Sequence, residues 1–406
     1  MDPRKNPYAP GAGSKPPALV GRDRQIESFD VLLERLENGY VEQSMIVTGL
    51  RGVGKTVLLD VFREKAEARD WATVEWEVEK NAAFAPKMAA HVRRALLQIA
   101  PKAKWTDRVL RAASILKSFT ATFNPDGAMT AGLDIEALAG LGDSGALSED
   151  LTDLFVAIGE AARDRGVGVV FLIDEIHFLR PPDLGALIVA LHKCTRRSLP
   201  ITLVGAGLPQ IPRLAGEAKS YSERLFRFPQ IGALNAASDA RDALVLPAAD
   251  QDVELEADAI DLMVDYTQGY PYFLQEYGKI VWDETSASPV TLDDVTSVLP
   301  LVEAGLDESF FRVRAERTTE LELRYLYAMA ELGSQPHRAS EVARRIQRTV
   351  EQAGPIRSRL IDKGLLYTPG HGYAAFTVPQ FDRYMLRRHS ELGELPPGGG
   401  AAAASA

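Results

Sequence analysis

"IVTGLRGVGKTVLLDVF", residues 46–62, is an apolar run broken by three glycines and a lysine, after which a helical pattern resumes at once. Val57, Leu58, Val61 and Phe62 fall on one stripe at helical spacing, and "SMIVTG" before the break has the length and composition of a buried strand. Strand, glycine loop and helix in that order fit G-x-x-x-x-G-K-[ST], with Gly49, Gly54, Lys55 and Thr56 in the fixed places. Glycine tolerates positive φ, so successive loop N–H groups can turn inward around phosphate oxygens. The helix starting at Lys55 adds the positive end of its dipole. The expected cradle is Gly49, Leu50, Arg51, Gly52, Val53, Gly54, Lys55, Thr56 and Val57. Lys55 would reach the β and γ phosphates as a point charge, and the Thr56 hydroxyl would ligate magnesium. The expected ligands are therefore ATP or ADP with Mg2+.

A second stretch, "VGVVFLIDEIHFL", closes a buried strand with Asp174 and Glu175 side by side. In a parallel sheet the carboxyl ends of the strands face one crevice, which brings this pair beside the phosphate loop. Asp174 is expected to hold the metal shell, and Glu175 to orient and deprotonate the attacking water. His177, two residues on, reads as a packing residue rather than a catalyst.

The 406 residues are 46% apolar, enough for a substantial core and two or three domains. Lys and Arg total 46 against 56 Asp and Glu, and the net charge of -10 argues against a chain that coats nucleic acid or membrane along its whole length. Cys194 is the single cysteine, so no internal disulfide can form and a reducing, cytoplasmic setting is expected. The N-terminus lacks the apolar segment of a secretory signal, and no run approaches membrane-spanning length.

Short buried strands alternate with longer amphipathic helices, the pattern of an α/β protein with a parallel sheet. Four strands are legible: "SMIVTG", "ATVEWEV", "VGVVFLI" and "ITLVG". The expected organisation is an extended strap over 1–18 and a nucleotide-binding domain over 19–235, with a loosely patterned insertion at about 101–147. A helical domain follows over 236–305, then a terminal unit over 319–388 and a disordered low-complexity tail over 391–406. In the helical part, Asn235 or Ser238 can cap a helix running to Leu246, Gly269 ends another, and Pro271 suits the first turn of a third.

A phosphate loop, an adjacent "DE" and a helical domain behind the sheet together resemble the AAA+ ATPases. The stretch "ALVGRDRQIESFDVLLERL" is similar to that family's adenine-contacting opening segment, with Val20, Gly21 and Arg22 ahead of a helix. "GLRGVGKT" and "LVGAGLPQIPRLAGEAKSYSERLFRF" resemble the origin-recognition and initiator-like branch, and the archaeal-type and bacterial ATPases that carry a C-terminal winged helix. The resemblance spans residues 19–305 and implies an AAA+ P-loop domain with a helical lid. It also implies self-association, with Arg224 reaching a neighbouring subunit's nucleotide and Arg227 in reserve. The fourth strand departs from the family: Gly205, Ala206 and Gly207 stand where a polar sensor residue is usual, leaving Thr202 and Gln210 as substitutes. The lid reads "GYPYFL" and lacks the arginine of the family form; Gly269 and Pro271 look like the GxP element of STAND signalling ATPases, in which the proline side contacts nucleotide. A slow ATPase used as a switch is expected.

In the terminal unit, "TELELRYLYAMAELG", "ASEVARRIQ" and "EQAGPIRSRLIDKGLLY" read as three helices, and "TPGHGYAAFTV" as a two-stranded wing. This resembles a winged helix-turn-helix. Residues 319–389 hold eleven Lys and Arg against seven Asp and Glu, the asymmetry that a phosphate-contacting face needs on an otherwise acidic chain. Double-stranded DNA held through Arg357, Arg359 and Lys363 is the expected partner; the alternative is a STAND-like switch whose winged unit is a protein-docking or autoinhibitory module.

Overall fold

The computed structural model describes residues 1–11, 13–80, 82–101, 105–123 and 136–392. They form two compact units, one of residues 9–250 with 264–274, the other of residues 1–8, 251–263 and 275 onward.

The first unit is built on five parallel strands: β1 (Ser44–Thr48), β2 (Ala72–Glu77), β3 (Val169–Asp174), β4 (Ile201–Gly207) and β5 (Phe226–Arg227), in the order β2-β3-β4-β1-β5. The four longer strands match the legible ones. The fifth is two residues long, too short to carry a periodicity, and it extends the sheet by pairing Phe226 with Ser44 and Arg227 with Met45. β1, β3 and β4 are buried almost throughout, as strands covered on both faces must be. The apolar stripe of the helix Lys55–Glu67 seats Phe62 against Phe29 of the helix Asp23–Glu37, rings stacked at 4.5 Å. Phe155, from the helix Leu147–Arg165, stacks on Phe171 of β3 at 4.9 Å.

Within the expected insertion lies a 17-residue helix, Asp107–Phe123, whose Val109, Ala112, Ala113, Leu116 and Phe119 are fully buried in the core of this unit. Its Ser118 and Thr120 hydroxyls donate to the carbonyls four residues back, which hides polar side chains on a buried face and weakens the apolar pattern in the sequence. The turn residues 124–132 lie outside the described residues.

Helices Asp239–Ala249, Ala257–Thr267 and Pro271–Glu284 follow, with Ser238 at the N-cap position of the first, Gly269 at φ 67° after the second and Pro271 opening the third. The first runs through Pro247 to Ala249.

The second unit contains the helices Glu320–Leu332, Ala339–Arg345, Val350–Asp362 and Phe381–Leu392, and the short strands β6 (His337–Arg338), β7 (Leu366–Tyr367) and β8 (Tyr373–Phe376). The strands form an antiparallel sheet in the order β6-β8-β7. Thr319 and Glu322 close a capping box at the first helix, Thr349 and Gln352 another at the third. The third helix therefore starts ahead of Gly354 and Pro355 and runs through both. Phe311 packs edge-on against Phe381 and stacks on Tyr384, which ties the segment Asp307–Arg312 to the last helix. In the N-terminal segment Tyr8 is buried against Trp282, and Trp282 Nε1 donates to the Asp2 carbonyl. Residues 393–406, most of the expected tail, lie outside the described residues.

Candidate nucleotide site

The strand order places the phosphate loop at the carboxyl edge of the sheet. Thr48 pairs with Gly207 and Glu77 with Asp174, so β1, β2, β3 and β4 end level with one another. Gly49 N donates to Gly207 O and Ile231 N to Thr48 O, fixing the loop at both shoulders. Gly49 cannot be replaced without displacement, because a Cβ there would lie 2.5 Å from the Ile231 carbonyl oxygen. Gly52 and Gly54 hold φ of 81° and 89°, the left-handed conformation an N–H cradle requires.

Lys55 is buried at the first turn of its helix and donates to the carbonyls of Gly49 (3.1 Å) and Leu50 (2.7 Å). Burial depresses its pKa, opposed by the charges of Glu175 and Asp174. Thr56 Oγ1 donates to Asp174 Oδ2 at 2.6 Å, and Asp174 Oδ1 accepts from the Glu175 N–H at 2.7 Å. Glu175 itself adopts φ 50°, the left-handed conformation, and its carboxylate faces Arg51 of the loop. Its Oε1 lies 3.6 Å from Arg51 Nη1 and its Oε2 lies 3.2 Å from His177 Nε2. Burial raises its pKa, while Arg51 and Lys55 pull it down. The structure thus gathers Lys55, Thr56, Asp174, Glu175 and Arg51 at one place, from two stretches more than a hundred residues apart.

Arg22 is also buried, but as a strut. Its guanidinium donates to the carbonyls of Gly21 (3.0 Å), Val53 (3.1 Å) and Gly232 (2.7 Å), joining the opening segment to the phosphate loop and to the chain beyond β5. Burial lowers its pKa and Asp239 opposes the shift. Gly21 stands at φ 67° with Asp239 so close that a Cβ would lie 2.6 Å from its Oδ2. Val20 is half-buried just ahead.

Sequence reasoning missed Tyr270, whose hydroxyl donates to the Arg51 carbonyl. The signal was its place inside "GYP". Gly269 supplies the turn that makes this possible, its carbonyl accepting from Leu234 N at 2.8 Å, and half-buried Pro271 follows. Thr202 is corrected: its hydroxyl lies 3.0 Å from Ser44 Oγ, at the opposite end of the strands from the loop.

Arg224 lies exposed in the short helix Ser222–Leu225, and among the described residues its side chain has no ion pair or hydrogen bond. Arg227 is engaged, pairing with Glu42 and with Gln43 Oε1. In the terminal unit, Arg357, Arg359 and Lys363 do not form the free basic face expected of them. Arg357 is half-buried and donates to Thr368 Oγ1 (2.9 Å) and the Tyr373 carbonyl (2.6 Å). Arg359 and Lys363 converge on the buried Glu322 at 3.0 and 2.6 Å. The buried carboxylate draws both cations inward, and helical periodicity cannot reveal that partner.

Residues 18–204 match the family model for the AAA ATPase domain. That region is an AAA ATPase domain. Residues 308–385 match the model of a domain of unknown function. No curated protein matches the chain. Its fold is similar to solved structures of the Thermotoga maritima RuvB Holliday junction branch migration motor (16% identity, 92% of this chain and 99% of that one, TM-score 0.43). It is similar also to Aeropyrum pernix Orc1 in complex with DNA (16% identity, 93% and 94%, TM-score 0.43) and to Pyrobaculum aerophilum Cdc6p (13% identity, 97% and 99%, TM-score 0.41). Likeness at that level adds nothing about activity. Among the described residues no helix is long and apolar enough to cross a membrane.

The donors present suit a nucleotide with magnesium. A hydroxyl and a carboxylate are hard oxygen ligands, and no group of three or more His, Cys, Asp or Glu able to hold a metal alone occurs among the described residues. Magnesium fits such a site because it accepts one or two protein ligands and completes its shell with phosphate and water.

Proposed function

We propose that this chain is an AAA+ ATPase that binds ATP with magnesium and hydrolyses it slowly, using the bound nucleotide as a conformational and assembly switch. The observation that carries the reading is the convergence of Lys55, Thr56, Asp174 and Glu175 around one glycine loop. Bound magnesium triphosphate supplies the phosphoryl group that water attacks. The loop N–H groups and Lys55 hold its phosphates, Thr56 and Asp174 hold the metal, and Glu175 orients the water and accepts its proton. Val20, Gly21 and Pro271 border the base side, and Arg22 holds the loop against the opening segment.

Arg51 sets the resting state of the site. Its guanidinium faces the Glu175 carboxylate, so the carboxylate is partly neutralised until phosphate oxygens compete for that cation. This supports a slow enzyme. Arg224, exposed and without a partner among the described residues, is the group offered in trans to a neighbouring copy's γ-phosphate.

The test is calorimetry with ATP and magnesium, together with turnover measured over a range of protein concentrations. Glu175→Gln should keep ATP and lose turnover by about 100-fold or more. Arg224→Ala should bind normally and lose the rise of specific activity with concentration. No heat on adding ATP with magnesium to folded protein would end the reading.

For the terminal unit we read a winged helix-turn-helix that contacts duplex DNA. Its basic balance supports this, with exposed Arg344 and Arg348 carrying the contact in place of the three engaged cations. The inward-drawn Arg357, Arg359 and Lys363 favour the second reading, a protein-docking or autoinhibitory module. Binding to duplex across a salt series separates them: phosphate contacts give an affinity that falls steeply with salt, and Arg344→Ala with Arg348→Ala flattens the slope.

A further inference from the structure

β4 ends in Gly205-Ala206-Gly207, a strand terminus without a polar side chain. The packing explains the glycines. A Cβ on Gly205 would lie 3.0 Å from Ile176 Cδ1, and one on Gly207 would lie 3.2 Å from Ile176 Cγ2 and 3.4 Å from His177 Nδ1. The turn Ile176–Phe178 that follows β3 therefore lies directly on the end of β4, in space that side chains from that strand would fill. His177 is held there by two contacts. Its Nδ1 accepts from the Leu208 N–H at 3.4 Å, and its ring sits 4.4 Å from that of Phe178.

An Nδ1 that accepts leaves the ring proton on Nε2. That nitrogen is buried, has no aligned hydrogen-bond partner, and stands 3.2 Å from Glu175 Oε2, which is buried and likewise without one. Two buried polar atoms at this distance, one a donor and the other a carboxylate oxygen, complete each other once the ring turns into line. Burial holds the imidazole neutral, with its pKa lowered to about 3, so the donor is present throughout the ordinary pH range.

We infer that His177 is the positioning residue of Glu175, donating from Nε2 to Oε2 and supplying from the turn after β3 the polar group that the end of β4 lacks. With Oε2 held by His177, Oε1 is the oxygen left to exchange Arg51 for the attacking water. The ring also links the backbone at Leu208 to the carboxylate, so a shift at the end of β4 is felt at Glu175. This assignment rests on the reading of Glu175 as general base, and it adds a positioning role to the packing role expected of His177.

The test compares His177→Gln, which keeps a donor near the Nε2 position, with His177→Met, which has similar volume and no donor. Both are made alone and together with Glu175→Gln, with kcat, ATP affinity and melting temperature measured for each. His177→Met should lower kcat about 10- to 100-fold, the cost of a misplaced catalytic group, and His177→Gln should remain within about threefold of the parent. ATP affinity should be the same in both. On the Glu175→Gln background the two should become indistinguishable. Equal kcat for Gln and Met, or a difference between them that persists with Glu175→Gln, overturns the inference. Wild-type turnover by Glu175→Gln alone would overturn the general-base reading itself, a result read separately.

Discussion

Thr56 Oγ1 and Asp174 Oδ2 share a hydrogen bond of 2.6 Å, joining the helix after β1 to the end of β3. Two oxygens this close can turn to one magnesium ion without rearranging the sheet. Asp174→Asn keeps the shape and removes the charge, so it should raise the magnesium concentration needed for half-maximal turnover about tenfold, with milder loss of metal-free nucleotide binding. A magnesium titration of turnover checks this; an unchanged midpoint would remove Asp174 from the metal shell.

Lys55 should behave differently. Its ammonium is committed to the carbonyls of Gly49 and Leu50, and in the proposed function it exchanges them for phosphate when nucleotide binds. Lys55→Ala should weaken ATP binding by about 100-fold or more, a loss matching a charge-assisted contact of 2 to 3 kcal/mol. Calorimetry on the variant gives the affinity directly, and the melting temperature of the nucleotide-free protein should hardly move.

Removing Arg22 should cost folding as well as binding. It serves three backbone carbonyls from a buried position, and Arg22→Leu would leave those of Val53 and Gly232 without the donors that hold the loop. The expected loss is about 2 to 3 kcal/mol, read by urea unfolding, together with weaker ATP binding. Unchanged stability with weaker binding would make Arg22 a ligand contact instead.

Glu322 is predicted to govern the terminal unit. Burial alone would raise its pKa, but Lys363, the Thr319 N–H and Arg359 outweigh that and bring it to about 2. A depressed carboxylate stabilises the fold above its unfolded value near 4.5, and that contribution is lost as pH falls from 4.5 towards 2. Glu322→Ala should destabilise the unit by about 2 kcal/mol at pH 7, discounted because both cations are partly exposed. It should also release Arg359 and Lys363. If duplex binding then strengthens, the terminal unit is held in check by this carboxylate.

His91 predicts an acid limb of another origin. Its ring stacks on Trp76 at 5.3 Å, and burial, with Arg94 and Lys87, lowers its pKa to about 4. The unfolded chain takes up a proton below about 6.5 while the folded chain does not, so stability is full above that value and falls as pH drops towards 4. His91→Phe should make the loss between pH 7 and pH 4 smaller by about 2 kcal/mol. An unaltered slope in denaturant unfolding across that range would count against it.

The sequence by itself determined the parts whose chemistry is local. A glycine loop between strand and helix, two acids closing an apolar strand and a proline opening a helix are each legible within a dozen residues, because backbone conformation and helix propensity act over that range. The tertiary structure alone decided which groups meet. Arg22 became a strut, Arg359 and Lys363 turned to Glu322, Thr202 fell at the far end of its strand, and Tyr270 reached the Arg51 carbonyl. Each depends on a partner 30 or more residues away, placed by packing and strand order, and the gain from burying a charge against its partner has no periodicity along the chain.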